Sequence, residues 1–399
     1  MTTTVNNEHK NIKVPNLRFP EFQGEWEEER LADIADLYKG TGISKDQLSD
    51  DGEPCILYGE LYTKYKSETI REVISKTNTN NTKLVKSKAN DVIIPCSGET
   101  AEDIATARCV LNSNILLGGD LNIIRLHGYD GAFMSYQLNG RRKYDIAKVA
   151  QGVSVVHLYG EHLKGVKTFN PCLEEQKKIA GLLALLDERI ATQNKIIEDL
   201  KKLKSAIIEI EYTPNTKTTS HIGNVIEQIS KRNKNNAIQN VLSVSNRQGF
   251  IKQSDQFENR NVASEDTSNY KIVEKNDFAF NPARINVGSI ARLTTFEKGI
   301  VSPMYICFRT KENVAPEYID FFFESKHFYC EIQKRLEGSV RQCLSFEGLC
   351  NIPFSLPSLE MQQRIGKRLF TLGQKIKTET DLLELLNKQK QYLLRQMFI

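Results

Sequence analysis

The chain has 399 residues, 40% of them hydrophobic and 26% charged, which is enough for two or three domains with separate cores. Its formal charge of +4 is too small to mark a general nucleic-acid surface, so any DNA-binding face has to be a local patch. No stretch approaches the roughly 18 apolar residues of a membrane span, and the polar opening Met1 to Asn11 holds no apolar signal core, so a cytoplasmic protein is expected.

In chain order, residues 55–58, 91–95 and 121–126 are apolar runs between turn residues and predict strands, and 133–148 predicts a helix. From 173 to 208, Ile179, Leu183, Leu186, Ile190, Ile197, Leu200 and Ile207 recur in the rhythm of a coiled-coil seam. Pro171 stands just before this helix, where it stops a preceding strand from running on. Residues 276–280 and 305–309 then predict strands, and 316–335 a helix. After Pro357 a second long helix repeats the seam with Ile365, Leu369, Leu372, Ile376, Leu383, Leu386 and Leu393. Two seam slots are polar in both helices, Gln193 with Glu379 and Lys204 with Lys390. Such residues cost stability and disfavour slipped registers.

These elements form a repeat at an offset of 186 residues. Leu158, Glu161 and Leu163 return as Leu344, Glu347 and Leu349, and Pro171, Leu173, Glu174 and Gln176 as Pro357, Leu359, Glu360 and Gln362. Asn90-Asp91 returns as Asn276-Asp277, so the repeat reaches into the globular parts. Two similar modules imply two similar things to bind, or one thing with approximate twofold symmetry. Residues 1–212 carry 28 Lys and Arg against 31 Asp and Glu, and residues 213–399 carry 26 against 19.

Little in the sequence suggests catalysis. There is no phosphate-binding G-x-x-x-x-G-K-[ST] loop, no dinucleotide G-x-G-x-x-G and no H-E-x-x-H. The eight cysteines include no C-x-x-C pair, so free thiols and no metal site are expected. Several loops instead carry side chains suited to DNA. Tyr58, Glu60, Tyr62, Thr63 and Lys64 follow one strand, and Ser97, Glu99 and Thr100 follow the strand ending at Pro95. In the second module Ser245, Asn246, Arg247, Asn281, Arg284, Asn286, Arg341 and Gln342 are the candidates. Arginine can read guanine edges, asparagine adenine, and glutamate a cytosine amino group, while lysine neutralises phosphate. A solvated surface loop is the competing reading for each one taken alone.

The tract Leu173-Glu174-Glu175-Gln176-Lys177-Lys178-Ile179, its second copy at Leu359 to Ile365, and the opening Pro15-Asn16-Leu17-Arg18-Phe19-Pro20-Glu21-Phe22 with Trp26 carry a resemblance. With them the chain resembles the specificity subunit of type I restriction-modification systems over essentially its whole length. The resemblance implies an α+β fold: two pseudo-twofold-related mixed α/β target-recognition domains joined by two long helices in an antiparallel coiled coil. The corresponding boundaries are 1–170 and 213–356 for the recognition domains, and 171–212 and 357–399 for the helices. It implies that each domain reads one half of a bipartite DNA site and that the coil sets the gap. It also implies a non-catalytic subunit that recruits two modification and two restriction subunits, with S-adenosylmethionine, ATP and Mg2+ used by those partners. Contacts to the partners carry over to Glu174, Gln176, Glu360 and Gln362, although a first-turn carboxylate also favours a helix N-terminus without any partner.

Two other readings stand beside this one. A coiled-coil scaffold spacing two protein-binding domains would suit the modest charge. A DNA methyltransferase would find support only in Asn281-Pro282, which lacks the second proline, the aromatic residue and the glycine-rich cofactor loop of such enzymes.

Overall fold

The computed structural model describes residues 13–79, 83–152, 155–213, 220–246, 248–256, 266–338 and 342–399. It divides into two compact units, one of Met1–Asn194 with Asp381–Ile399 and the other of Lys195–Thr380. The cuts fall inside the two long helices, Leu173–Tyr212 and Leu359–Gln396, at points related by the repeat offset. Each unit therefore owns the head of one long helix and the tail of the other.

In the first unit a five-stranded sheet runs in the order Ala35–Lys39, Leu121–Leu126, Asp91–Pro95, Arg108–Val110, Thr69–Ile70. A second sheet has Glu53–Ile56 and Leu116–Leu117 at its centre. All five residues of Asp91–Pro95 are buried, which explains an apolar run without alternation. Its faces still divide by period two: Val92 and Ile94 pack with Ile124, Met134 and Leu138 under the helices, and Ile93 with Ile123, Ile56 and Leu117 between the sheets. The second unit repeats this with shorter sheets, one ordered Ile226–Ile229, Ile306–Thr310, Phe278–Phe280, Ile290–Arg292. Phe278, Phe280 and Phe308 face the helices, and Ala279 and Cys307 face Leu242, Val244 and Val301 of the other sheet.

The retained Asn-Asp pair has a physical cause. Asn90 and Asn276 take left-handed backbone, φ 79° and 71°, a conformation asparagine tolerates better than most residues. The next carboxylate closes the turn by accepting the N–H three residues earlier, Lys88 to Asp91 and Glu274 to Asp277, each at 2.8 Å. The same carboxylates hold an arginine of the neighbouring segment through both oxygens, Arg125 at 2.9 and 2.7 Å and Arg309 at 3.1 and 3.1 Å.

Gln176 is 1% exposed, accepts the Asp130 N–H at 2.9 Å and donates to the Pro171 carbonyl at 2.8 Å. Gln362, also 1% exposed, accepts from Ala315 N–H and donates to the Pro357 carbonyl, both at 2.9 Å. Asp130 and Ala315 are the N-caps of the helices Gly131–Asn139 and Pro316–Phe322. Each glutamine thus fastens the head of a long helix to a recognition-domain helix. This corrects the expectation that Gln176 and Gln362 face partners: both amides are buried and paired inside the chain.

Neighbouring Glu175 is fully buried and held by Arg18 through two hydrogen bonds of 2.8 and 2.7 Å, which pins the opening Pro15–Phe22 tract. The corresponding residue of the second tract is Met361, so this clamp is not duplicated.

The tails are built alike. Leu394, Met397 and Phe398 pack with Trp26, Phe133, Ile179 and Leu183 in the first unit. Ile208 and Tyr212 pack with Tyr318, Phe322, Ile365 and Leu369 in the second. In each unit the head of one helix meets the tail of the other, so the pair is antiparallel. The lysine slots reach the globular parts: Lys390 pairs with Glu68 at 2.5 Å, and with Asp187 of the other long helix at 2.6 Å, and Lys204 pairs with Glu324 at 2.6 Å.

Some elements differ from expectation. The helix predicted over 133–148 is two, Gly131–Asn139 and Lys143–Val149, broken at Gly140. That over 316–335 is Pro316–Phe322 and Lys326–Gln333, because the Ser325 hydroxyl caps a new start by accepting from Phe328 N–H. The strand predicted over 55–58 is Glu53–Ile56, since Leu57 and Tyr58 turn into the helix Glu60–Thr63.

Candidate nucleic-acid interface

The two candidate loops of the first module meet. Tyr58, Tyr62 and Thr63 from one, and Ser97 and Glu99 from the other, line an open cleft of about 600 Å³ with Gly59, Gly98, Asp103 and Val155. The Tyr62 hydroxyl donates to the Ser97 carbonyl at 3.0 Å and joins the loops, and burial pushes its phenol pKa up, so it remains a neutral donor. Gly98 lets the loops approach closely: a Cβ on it would stand 3.1 Å from the Tyr62 hydroxyl and 3.2 Å from Ile104 and would push them apart by a few tenths of an ångström. Tyr58 is 39% exposed at the mouth, and Thr63 and Glu99 are exposed.

Three first-module candidates are engaged elsewhere. Glu60 is 6% exposed and accepts from Leu57 N–H at 3.0 Å, from Lys64 at 2.7 Å and from the Ser75 hydroxyl. Lys64 also donates to Ser75, at 2.6 Å. The expected base-reading carboxylate and phosphate-binding lysine form an internal pair, a correction that their i,i+4 spacing on a short helix makes intelligible. Thr100 caps the helix Ala101–Ile104, accepting from Asp103 N–H at 3.1 Å and donating to its carboxylate at 2.6 Å.

In the second module the equivalent loop leaves the strand Phe278–Phe280. Asn281 is 7% exposed and shapes the turn by accepting from Ala283 N–H at 3.1 Å, so its side chain serves the loop. Arg284 is exposed at the start of the turn Ile285–Val287, and Asn286 is half-buried within it. Ser289 ties this loop to the end of Val241–Ser245 by donating to the Val244 carbonyl at 3.4 Å, which brings Ser245 and exposed Asn246 to the same edge. Leu344 N–H donates to the Pro282 carbonyl at 3.0 Å, which places exposed Gln342 two residues from the loop's contact. Arg247 and Arg341 lie outside the described residues.

The sequence reading missed a basic cleft of about 730 Å³, lined by Ser230, Lys231, Arg232, Asn233, Lys234, Asn235, Ala237, Ile238, Ile272 and Lys298. Its signal was the run Lys231-Arg232-Asn233-Lys234. Glu174 and Glu360 are exposed in the first turns of the long helices. Among the described residues no group of three or more His, Cys, Asp or Glu side chains could hold a metal ion, and no helix is long and apolar enough to cross a membrane.

The model of the type I restriction modification DNA specificity domain matches twice, over residues 23–202 and 208–388. The chain belongs to the type I restriction-modification DNA specificity family. It is similar to the type I restriction enzyme MjaVIII specificity subunit of Methanocaldococcus jannaschii, 25% identical over 94% of this chain and 90% of that one. It is also similar to the putative MjaX specificity subunit of the same organism, 27% identical over 58% and 56% of the two chains. In fold it is similar to a type I restriction-modification S subunit from M. genitalium, with a TM-score of 0.62 at 16% identity over 97% of this chain and 99% of that one. A chain from a structure describing complex assembly and conformational transition of the type I R-M system gives a TM-score of 0.52 at 14% identity over 94% and 97%. DNA recognition is the function of this specificity family, and the two domain matches give the chain two recognition modules.

Proposed function

We propose that each module reads one half of an interrupted DNA sequence and that the two long helices set the unread gap between the halves. The observation that carries this reading is the contrast within the repeat. The sheets, the Asn-Asp turn and the glutamine clamp recur in both modules, while the loops at the strand ends present Tyr58, Tyr62, Ser97 and Glu99 in one and Arg284, Asn286 and Asn246 in the other. One scaffold with two different sets of hydrogen-bonding groups suits two different half-sites. The chain itself is non-catalytic and cytoplasmic in this reading. Two modification subunits, which use S-adenosylmethionine to methylate adenine, dock with the help of exposed Glu174 and Glu360. Two restriction subunits use ATP and Mg2+ to translocate and cleave DNA.

The test is to map methylated adenines across the genome of a strain carrying this chain with its modification partner. The reading expects one interrupted motif that disappears when this chain is deleted. Methylation with no interrupted motif, or one independent of this chain, would contradict it.

A further inference from the structure

The basic cleft of the second module has no use in the packing described above. Its floor is rigid. Asn233 is 3% exposed, donates to the Ile238 carbonyl at 2.9 Å and to the Thr267 hydroxyl at 3.3 Å, and accepts from Ile238 N–H at 3.1 Å. Asn233 N–H donates to the Tyr270 carbonyl at 3.0 Å, and Asn236 closes the loop with φ 48° and a 2.8 Å bond to the Asn233 carbonyl. The loop so braced leaves Lys231, Arg232 and Lys234 exposed around one concavity that Lys298 also lines. No carboxylate lines the cleft among the described residues. The nearest partners are Glu274, whose carboxyl is held below its usual range by the Lys298 hydrogen bond with a smaller effect from Lys231, and Asn269, which accepts from Arg232 at 2.8 Å.

Among the described residues the first module has no such loop. The sheet registers place Ala35–Lys39 where the second module has Ile226–Ile229, so the uncharged Gly40-Thr41-Gly42-Ile43 stand where Lys231-Arg232-Asn233-Lys234 do. The cationic loop is therefore a property of the second module and not of the shared scaffold.

We propose that this cleft is the phosphate-gripping site of the second module, in which Lys231, Arg232 and Lys234 neutralise successive phosphates of the DNA backbone beside the second half-site. The proposal rests on the DNA-reading function given above. Cations of both types around a concave surface, with the exposed amide of Asn235 beside them, match a sugar-phosphate strand, and a braced loop spends little ordering entropy on binding.

The test uses the assembled complex of this chain with its modification partner and a duplex carrying the interrupted site mapped by methylation. Binding is followed by fluorescence anisotropy over a salt series, for the wild type, the triple variant Lys231→Gln, Arg232→Gln, Lys234→Gln, and a charge-keeping variant Lys231→Arg, Arg232→Lys, Lys234→Arg. Each lost phosphate contact flattens the plot of log affinity against log salt by about 0.9 units, so the glutamine variant is expected to lose about 2 to 3 units of slope. The loss should be equal for duplexes altered at single bases of the second half-site, and the charge-keeping variant should retain the slope. An unchanged slope would overturn the proposal. So would a loss confined to particular bases, which would make the cleft a base reader, or failure of the glutamine variant to assemble, which would make it a site for an acidic protein surface. A wild-type complex that does not prefer the mapped duplex would refute the DNA-reading function itself, a result the variants are not needed to reveal.

Discussion

Replacing Gln176 with leucine keeps the side chain's approximate bulk and removes both of its hydrogen bonds, 2.9 Å from Asp130 N–H and 2.8 Å to the Pro171 carbonyl. With Gln176 1% exposed, water has little access to the two backbone groups left behind. Each unpaired buried group costs about 1–3 kcal/mol, so the variant should lose about 2–4 kcal/mol, less than the sum because the helix head can relax. Urea unfolding followed by circular dichroism measures that loss. Hydrogen exchange of the peptide containing Asp130 should accelerate, because its amide has lost its acceptor. Gln362→Leu should give the same signature at Ala315 in the other module. Glu174→Ala, at an exposed position of the same turn, should stay within about 0.5 kcal/mol of the wild type. Unchanged stability and exchange in Gln176→Leu, together with lost assembly on the modification partner, would refute the clamp and restore a partner-facing role.

Lys390→Met takes one of the two cations, the other being buried Arg108, from buried Glu68 and Asp187 and should cost about 3–5 kcal/mol, while adding Glu68→Gln alone, which restores the charge balance, should recover much of it. Thermal unfolding reads both, and a single-variant cost under about 1 kcal/mol would contradict a buried ion cluster. Cys172 and Cys330 are exposed and should react with a thiol reagent at pH 8 in the folded chain. Cys55 and Cys96, whose thiols burial pushes up to about 11, should react only on unfolding; mass spectrometry distinguishes the sites, and rapid modification of Cys55 would contradict its packing. Inserting one helical turn after Asn194 should change the gap between methylated half-sites or abolish methylation, and an unchanged gap in an active complex would show that the helices are not the spacer.

The long helices were legible because seven apolar positions in each keep the seam rhythm whatever surrounds them. The polar slots were visible as exceptions, but their partners were not: Glu68 lies 322 residues from Lys390, and only the folded chain brings them together. Gln176 lies three and seven residues before Ile179 and Leu183, on the seam side of its helix, so its inward turn is written in the spacing, while its polar chemistry reads as that of a docking group. The Tyr58 and Ser97 loops were each readable as strand-end loops. Their union into one cleft depends on how the strands Glu53–Ile56 and Asp91–Pro95 are ordered in separate sheets, which no spacing encodes. The break at Ser325 is hidden by Phe321, Phe322 and Phe328, which keep an apolar pattern across it, whereas Asn139-Gly140 is a stop signal present in the sequence. The Lys231-Arg232-Asn233-Lys234 run is visible in the sequence, but a short charge run without a repeat counterpart does not differ there from an ordinary solvated loop.

The measurement closest to the central claim is an exchange of the second module, residues 213–356, for the corresponding segment of another family member, with methylated sites mapped before and after. The account predicts that one half of the interrupted motif changes while the other half and the gap stay as they were. A motif altered in both halves, or unaltered in either, would contradict it.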